Sequence, residues 1–312
     1  MSIREIPYAS REEWLELRKG YIGGSEAGAV VGLDSYKSPY SVWAEKTGRA
    51  PGFEGNIITR VGSYLEDLVA TLFCEETGKQ VRRKNRMMVN DKYPWACADV
   101  DRMVVGEDAI LECKTTNSFP VMKDLRTGSF PDRWYCQMMH YLAVTGKKKA
   151  YLAVLVASRD FCWFELERDE AEVEALMTSE QDFWWCVDTD TPPDTDGSEA
   201  TTEVLATIYA DEVSGSMASL FGRESLLVER SQLKSQQKAL DERVKEIENR
   251  IKADMGEAEK ATCGRFSVSW KSQSRRSFQE REFQKDHPDI DLRPYFKTST
   301  SRVFKVTEKE AV

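Results

Sequence analysis

Apolar positions recur at helical spacing over residues 59 to 77, where Val61, Leu65, Leu68, Val69, Leu72 and Phe73 share one face and Gly78 supplies the stop. Shorter helical stretches come before it. "SREEWLELRKGYI" opens on Ser10 as N-cap with Glu13 three residues later, the capping-box pair. "GGSEAGAVVGL" reads as a glycine turn running into a helix of small residues, and "SPYSVWAEKTG" as a helix closed by Gly48. The pattern then changes. "KQVRRKNRMMV", "WACADVDRMVV" and "AILECKTT" are strand-like, separated by turn residues at Asn90–Asp91 and Gly106–Asp108. "RWYCQMMHYLAVTG" returns to helix, "KAYLAVLVAS" and "DFCWFELE" are two more strands, and "RDEAEVEALMTSEQDFWWCVD" is an amphipathic helix. This order predicts an α/β domain over residues 1–190, a sheet flanked by helices.

Beyond it, "TDTPPDTDGSEAT" is polar and carries Pro and Gly, so residues 191–221 read as a linker with a short helix. Residues 222 to 255 form a long helix in which Leu226, Leu233, Leu240 and Ile247 recur every seven residues, with Val244 and Ile251 between them. Packing against the same chain is the expected use of that stripe. A coiled-coil contact is the alternative, since about three to four heptads suffice for one. The tail then predicts strand ("GRFSVSWKS"), short helix ("FQEREFQKDHP") and strand ("TSRVFKVTE"), a small β-hairpin extension that completes residues 222–312.

Composition narrows the classes. The chain has 312 residues, 41% of them hydrophobic and 31% charged, enough for a substantial core in a soluble protein. No apolar run is long enough to span a bilayer, and "MSIREIPYAS" lacks the apolar core of a signal peptide, so the cytoplasm is the expected location. Seven scattered cysteines without C-x-x-C argue against a disulfide framework or a structural zinc site. Only two histidines, His140 and His287, leave little for His-based metal or nucleophile chemistry, and His140 reads as packing. No G-x-x-x-x-G-K-[ST] occurs, so no ATP requirement is expected. A net charge of −9 does not announce a nucleic-acid partner.

The chemistry concentrates in "AILECKTT". Residues i and i+2 of a strand share a face, so Glu112 and Lys114 project together while Cys113 turns away. A short hairpin could bring Asp101, from "ADVDR", beside them. Unpaired burial of these charges would be costly. As a set they suit Mg²⁺, a hard cation taking carboxylate oxygens, water and substrate phosphate, with the lysine placed to orient an attacking water. Acid-x-Lys alone reads as an exposed ion pair at a strand end. Three additions shift that reading: Asp101 on the preceding strand, Glu66 on an upstream helix, and "QMMHY", which sets Gln137 and Tyr141 at i and i+4 on one helix face.

Glu, then Asp, then Glu-x-Lys, then Gln-x-x-x-Tyr, in this order, resembles the PD-(D/E)XK nuclease superfamily. More narrowly, "RKGYIGGSEAGAVVGLDSYKSPYSVWAEKTGR" is similar to the opening of the YqaJ-type phage recombinases, relatives of phage lambda exonuclease. The resemblance covers roughly residues 10 to 165, with parts of the tail similar to longer YqaJ-type proteins. It implies a PD-(D/E)XK core, a central mixed sheet flanked by helices, followed here by the long helix and β-hairpin extension. It implies that Asp101, Glu112 and the main-chain carbonyl of Cys113 bind metal, with Glu66 completing or supporting a second position. Lys114 would handle the nucleophilic water, and Gln137 and Tyr141 would shape the site. An arginine and a serine seven residues later hold the 5′-phosphate in lambda exonuclease, and Arg18 and Ser25 match that spacing. The family often has Asn where Asp99 stands, so the resemblance favours Asp101 as ligand and leaves a part for Asp99 open. The grouped cysteines of iron–sulfur relatives are missing, so no Fe–S cluster is expected.

The resulting expectation is a Mg²⁺-dependent exonuclease, with Mn²⁺ able to substitute. It would digest double-stranded DNA 5′ to 3′ and leave 3′ single strands for a single-strand annealing protein, in the host cytoplasm if phage-encoded. Polarity, partner and a trimeric ring come from the resemblance alone. The tail supports DNA contact locally. Arg275, Arg276 and other cations interleave with Phe266, Trp270 and Phe278, and "RRKNR" at 82–86 adds a second patch. An ordinary solvated basic face is the competing reading of that tail. Two other functions compete: a structure-selective or nonspecific endonuclease on the same fold, and a non-catalytic DNA-binding or assembly module.

Overall fold

A computed structural model describes residues 2–52, 55–297 and 302–307. It divides the chain into two units, Met1–Ala210 and Asp211–Val312. In the first unit the elements run β1 (Ile3–Ile6), α1 (Arg11–Arg18), β2 (Ile22–Gly23), α2 (Gly24–Val30), α3 (Pro39–Lys46), α4 (Ile57–Thr77), β3 (Val81–Arg83), β4 (Met87–Asn90), β5 (Ala96–Ala98), β6 (Arg102–Val104), β7 (Ala109–Thr116), α5 (Phe119–Arg126), α6 (Asp132–Thr145), β8 (Lys149–Val156), β9 (Asp160–Glu167), α7 (Glu170–Asp188) and α8 (Glu199–Ile208). The mixed α/β architecture agrees with the sequence expectation.

Local chemistry accounts for the helix ends. The Ser10 hydroxyl caps α1 by accepting from the Glu13 amide, while Glu13 accepts from the Ala9 amide. Asn56 caps α4, and Gly78 ends it at φ 70°, a left-handed turn that suits glycine. Gly146 ends α6 in the same way at φ 67°.

Two sheets form the centre. The larger has the order β3-β6-β7-β8-β9 and is antiparallel except for the parallel pair β7 and β8. That pair needs a crossover, supplied by α5 and α6. The second sheet has the order β1-β4-β5-β2. The larger sheet is covered on both faces. Ala109, Leu111, Tyr151, Ala153 and Leu155 pack with Val69, Ala70 and Phe73 of α4. Ile110, Leu152 and Val154 pack with Met138, Met139 and Leu142 of α6. Helix α6 is buried from Trp134 to Thr145 apart from the half-buried Tyr135.

The strand expectations need correction at two places. The stretch 79–89 is two strands, β3 and β4, in different sheets, and so is 95–105, which divides into β5 and β6. Each breaks where charged or polar side chains interrupt the apolar run, at Lys84–Arg86 and at Asp99–Asp101, and there the chain passes from one sheet to the other. β1 and α5 were not anticipated at all: β1 is too short to show a period, and α5 sits in what read as a connection.

The second unit contains α9 (Glu224–Met255), the antiparallel pair β10 (Lys260–Cys263) and β11 (Phe266–Ser269), and α10 (Glu280–Asp286). Leu226, Leu233, Leu240, Val244, Ile247 and Ile251 of α9 are all exposed, so the described residues of the second unit do not cover the stripe that was expected to pack on its own chain. The expected strand at the end of the tail does not form over 302–307, and its remaining residues lie outside the described ones. Among the described residues no helix is long and apolar enough to cross a membrane.

Candidate active site

The β6–β7 hairpin sets the site. Arg102 pairs with Leu111, so the residue before it, Asp101, stands beside Glu112 and Cys113. Asp101 Oδ2 accepts the Cys113 amide proton at 2.7 Å. The alternation of β7 sends Cys113 to the α4 face and Glu112 and Lys114 to the α6 face, as expected. There Gln137 ties the group together. Its amide oxygen accepts from Lys114 Nζ at 2.8 Å, and its nitrogen donates to Glu112 Oε1 at 2.7 Å and to the Tyr141 hydroxyl at 3.1 Å. Lys114 Nζ also lies 2.7 Å from Glu112 Oε1.

These residues border a cavity of about 390 Å³. Asp101, Glu112, Gln137 and Tyr141 line one part of it, and Arg18, Gly23, Gly24 and Ser25 another. Lys114 is not on the wall and reaches it through Glu112 and Gln137. Burial, and then the charges of Glu112 and Glu66, raise the Asp101 carboxyl well above its ordinary value. Burial, and then the charges of Glu112 and Asp101, also raise the Tyr141 phenol, which therefore stays protonated.

Arg18 and Ser25 meet, with Arg18 Nη2 donating to Ser25 Oγ at 2.9 Å. The guanidinium lies 4.8 Å from the Trp14 ring centre, and the Trp14 indole donates to Asp99 Oδ2 at 2.9 Å. Beneath them Glu26 Oε2 accepts the Gly23 amide at 2.9 Å and lies 2.9 Å from Lys46 Nζ and 3.6 Å from Arg18 Nη2. Lys46 also donates to the Arg18 main-chain carbonyl at 3.0 Å. Burial works against the Glu26 charge, but Lys46 and Arg18 outweigh it and hold the carboxyl at about 2. Two glycines leave room for the site's side chains. A Cβ on Gly23 would stand 2.5 Å from Arg18 Nη2, and one on Gly24 2.4 Å from the Tyr141 ring.

Glu66 also lines the cavity, but its carboxylate is ion-paired with Arg102, which bonds Asp67 at 2.6 Å as well. Asp99 faces the cavity and its Oδ1 is buried without a partner, while burial pushes its carboxyl up. Asp101, not Asp99, is the aspartate beside Glu112. Arg275 and Arg276 are exposed residues of the second unit. Among the described residues no three His, Cys, Asp or Glu groups stand ready as a metal cage. The smaller donor set does fit a hard cation. Glu112 Oε2 is buried with no hydrogen-bond partner, beside the half-buried Asp101 carboxyl and the Cys113 main chain.

His140 is packing, as its sequence context suggested, though of a polar kind. Its ring nitrogens lie 2.7 Å from Glu180 Oε1 and 2.8 Å from the Cys97 carbonyl, joining α6, α7 and β5. Trp14, Glu26, Lys46 and Arg102 were missed. Trp14 could have been found, because it precedes Arg18 by four residues on one helix. Lys46 could not, since its contact with Arg18 spans 28 residues.

Residues 13–148 match the family model of the YqaJ-like viral recombinase domain. The Bacillus subtilis (strain 168) protein YqaJ is 36% identical over 286 residues, 90% of this chain and 89% of that one. The alkaline exonuclease LHK-Exo from Laribacter hongkongensis superposes with a TM-score of 0.50 at 20% identity, covering 58% of this chain and 94% of that one. Its complex with dAMP gives 0.51 at 19% identity over the same shares. At that identity the likeness concerns the fold, which is the nuclease fold that the Glu-x-Lys strand and its hairpin suggested. With identity and coverage at these levels to YqaJ, and the domain itself matched, the chain belongs to the YqaJ-like viral recombinase family.

Proposed function

We propose that this nuclease is a Mg²⁺-dependent exonuclease of double-stranded DNA that starts at a 5′-phosphorylated end and leaves a 3′ single strand for an annealing protein. One observation carries the reading. A single cavity of about 390 Å³ is lined both by the Asp101–Glu112 carboxylates and by the Arg18–Ser25 pair. Hydrolytic groups and a phosphate fork within one small cavity suit removal of nucleotides from an end. The Laribacter exonuclease, whose complex with dAMP is known, supports the nuclease side of the argument through its fold.

Asp101, Glu112 and the Cys113 carbonyl would hold the ion, and Mn²⁺ should substitute. Such an ion, when bound, supplies Lewis acidity toward the scissile phosphate and lowers the pKa of water. The chain's own groups do the rest. Lys114, held by Glu112 and Gln137, keeps an ammonium beside the carboxylates and orients the incoming water. Gln137 holds its amide in one orientation between Lys114, Glu112 and Tyr141. Tyr141, kept protonated, can donate a hydrogen bond to a phosphate oxygen. Arg18 presents a guanidinium fork to a terminal phosphate, with Ser25 as a second donor and Trp14 fixing its plane. Asp99, Trp14 and the basic Arg83 and Lys84 complete the cavity wall.

Incubation of linear and covalently closed duplex DNA with and without Mg²⁺ tests the reading. It predicts loss of the linear form only, from its ends, and only with the metal. Cutting of closed circles at a comparable rate would make the protein an endonuclease, and full activity in excess chelator would remove the metal from the mechanism.

A further inference from the structure

Among the described residues of the first unit, each lysine or arginine that is buried or half-buried forms an ion pair with a carboxylate, except Arg133. Its guanidinium instead lies over the ring of Tyr36, 4.8 Å from the centre, with the Trp134 ring at 5.8 Å. Tyr36 is 70% exposed, on the loop between α2 and α3. That loop is pinned: Asp34 Oδ1 accepts the Tyr36 amide at 2.7 Å, and Lys37 Nζ lies 2.6 Å from Glu45 Oε2. A ring occupies the plane of a guanidinium and leaves the N–H fork at its edge, the part that fits a phosphate. Arg18 has the same kind of seat, over Trp14 at 4.8 Å.

The two forks stand at opposite ends of one row. Tyr141, Gln137 and Arg133 follow one another at four-residue steps on α6 and share a face. Helix α2 runs in the opposite direction along it. A Cβ on Gly24 would meet the Tyr141 ring at 2.4 Å, and one on Gly28 the Arg133 Cα at 2.8 Å. Gly23, next to Gly24, meets the Arg18 fork. Gln137, in the middle of the row, holds Glu112 and Lys114. Arg18, the hydrolytic groups and Arg133 are therefore met in that order, with each four-residue step on α6 about 6 Å. We propose that Arg133 holds the backbone phosphate of the DNA strand one linkage to the 3′ side of the bond that is cut. The inference rests on the exonuclease reading of the cavity and extends it. A strand whose 5′ end sits at Arg18 sets its scissile phosphate beside Asp101 and Glu112 and sends its next phosphate toward Arg133. Held on both sides, the scissile phosphate cannot slide past the carboxylates.

The test is a scan of single methylphosphonate linkages, each replacing a charged phosphate oxygen by methyl, in a 5′-phosphorylated duplex with Mg²⁺. The rate of the first cut is read for the full-length wild type and for Arg133→Ala. The wild type should lose about ten- to a hundredfold at the linkage one step 3′ of the cut, the usual loss for a bond to a charged group. Arg133→Ala should be slowed by a similar factor on the natural strand and lose nothing more at that linkage, because the partner is already gone. A side chain with only a structural role would slow every substrate alike and leave the linkage effect in place. Arg133→Lys, which keeps the charge without the planar fork, should fall between the two, and it carries the same comparison should the alanine variant not fold. Linkages are counted from the bond that is cut, so internal cutting, which would contradict the exonuclease reading, leaves the scan decisive. A wild-type rate for Arg133→Ala, or a methylphosphonate loss that it shares with the wild type, would overturn the proposal, and so would a wild type insensitive at that linkage.

Discussion

Glu112 is the residue on which the chemistry turns. One oxygen is held by Gln137 and Lys114 and the other is buried with no partner. An isosteric Glu112→Gln keeps the packing and removes the charge, so cleavage should fall about 10³-fold or more while the unfolding midpoint shifts little, since the group acts at the reacting phosphate. Lys114→Ala should behave alike. Initial rates on labelled duplex, beside thermal unfolding, check this, and wild-type rates from either folded variant would contradict the assignment. Glu26 gives a pH prediction. Its folded carboxyl sits near 2 against an ordinary 4.5, so its stabilisation is present above about pH 4.5 and disappears as pH falls through 2. The contribution is about 3 kcal/mol. Denaturant unfolding from pH 5 to pH 2 should therefore be steeper for the wild type than for Glu26→Gln, and parallel curves would show that Lys46 and Arg18 do not hold Glu26 as the geometry indicates.

The close approach of α2 and α6 positions the site's two halves, because α2 begins beside Ser25 and α6 carries Gln137 and Tyr141. Gly28 makes the approach possible. A Cβ there would stand 2.8 Å from Arg133 Cα, which is backbone and cannot swing aside. Alanine normally gains up to about 1 kcal/mol over glycine in a helix. Gly28→Ala should instead destabilise by about 1–3 kcal/mol, as overpacking does, and a rise in the denaturant midpoint would show the helices have room. This layer was only partly legible in the sequence. Strand alternation fixed Glu112 and Lys114 on one face, and helical spacing fixed Gln137 and Tyr141, because each pattern is local. The division of 79–89 and 95–105 between two sheets was hidden, since both halves of each stretch have strand-like composition and tertiary packing decides their partners. Glu26 with Lys46, and Glu66 with Arg102, were hidden for the same reason: each pair spans tens of residues or crosses from helix to sheet, and no periodicity reports it.

At the scale of the molecule, the cavity and the layers around it lie wholly within Met1–Ala210, and the heptad helix within Asp211–Val312. Residues 1–210 alone should fold and retain metal-dependent cleavage, with α8 needed because Val204 and Thr201 are buried against the α3 region. A shortened protein that is folded but inactive would show that the second unit is indispensable for cleavage. Chelation should abolish cleavage and Mg²⁺ or Mn²⁺ restore it, whereas Ca²⁺ should allow binding without efficient turnover, since its looser coordination orients water poorly. The central claim is that one cavity both reads a DNA end and cuts beside it. Its most direct test is the digestion rate of 5′-phosphoryl against 5′-hydroxyl duplex ends by the wild type and by Arg18→Ala. A lost bond to a charged group costs about 1.5–3 kcal/mol, so the wild type should prefer the phosphorylated end by roughly ten- to a hundredfold and the variant should lose that preference. Equal slowing of both ends by Arg18→Ala would contradict the claim.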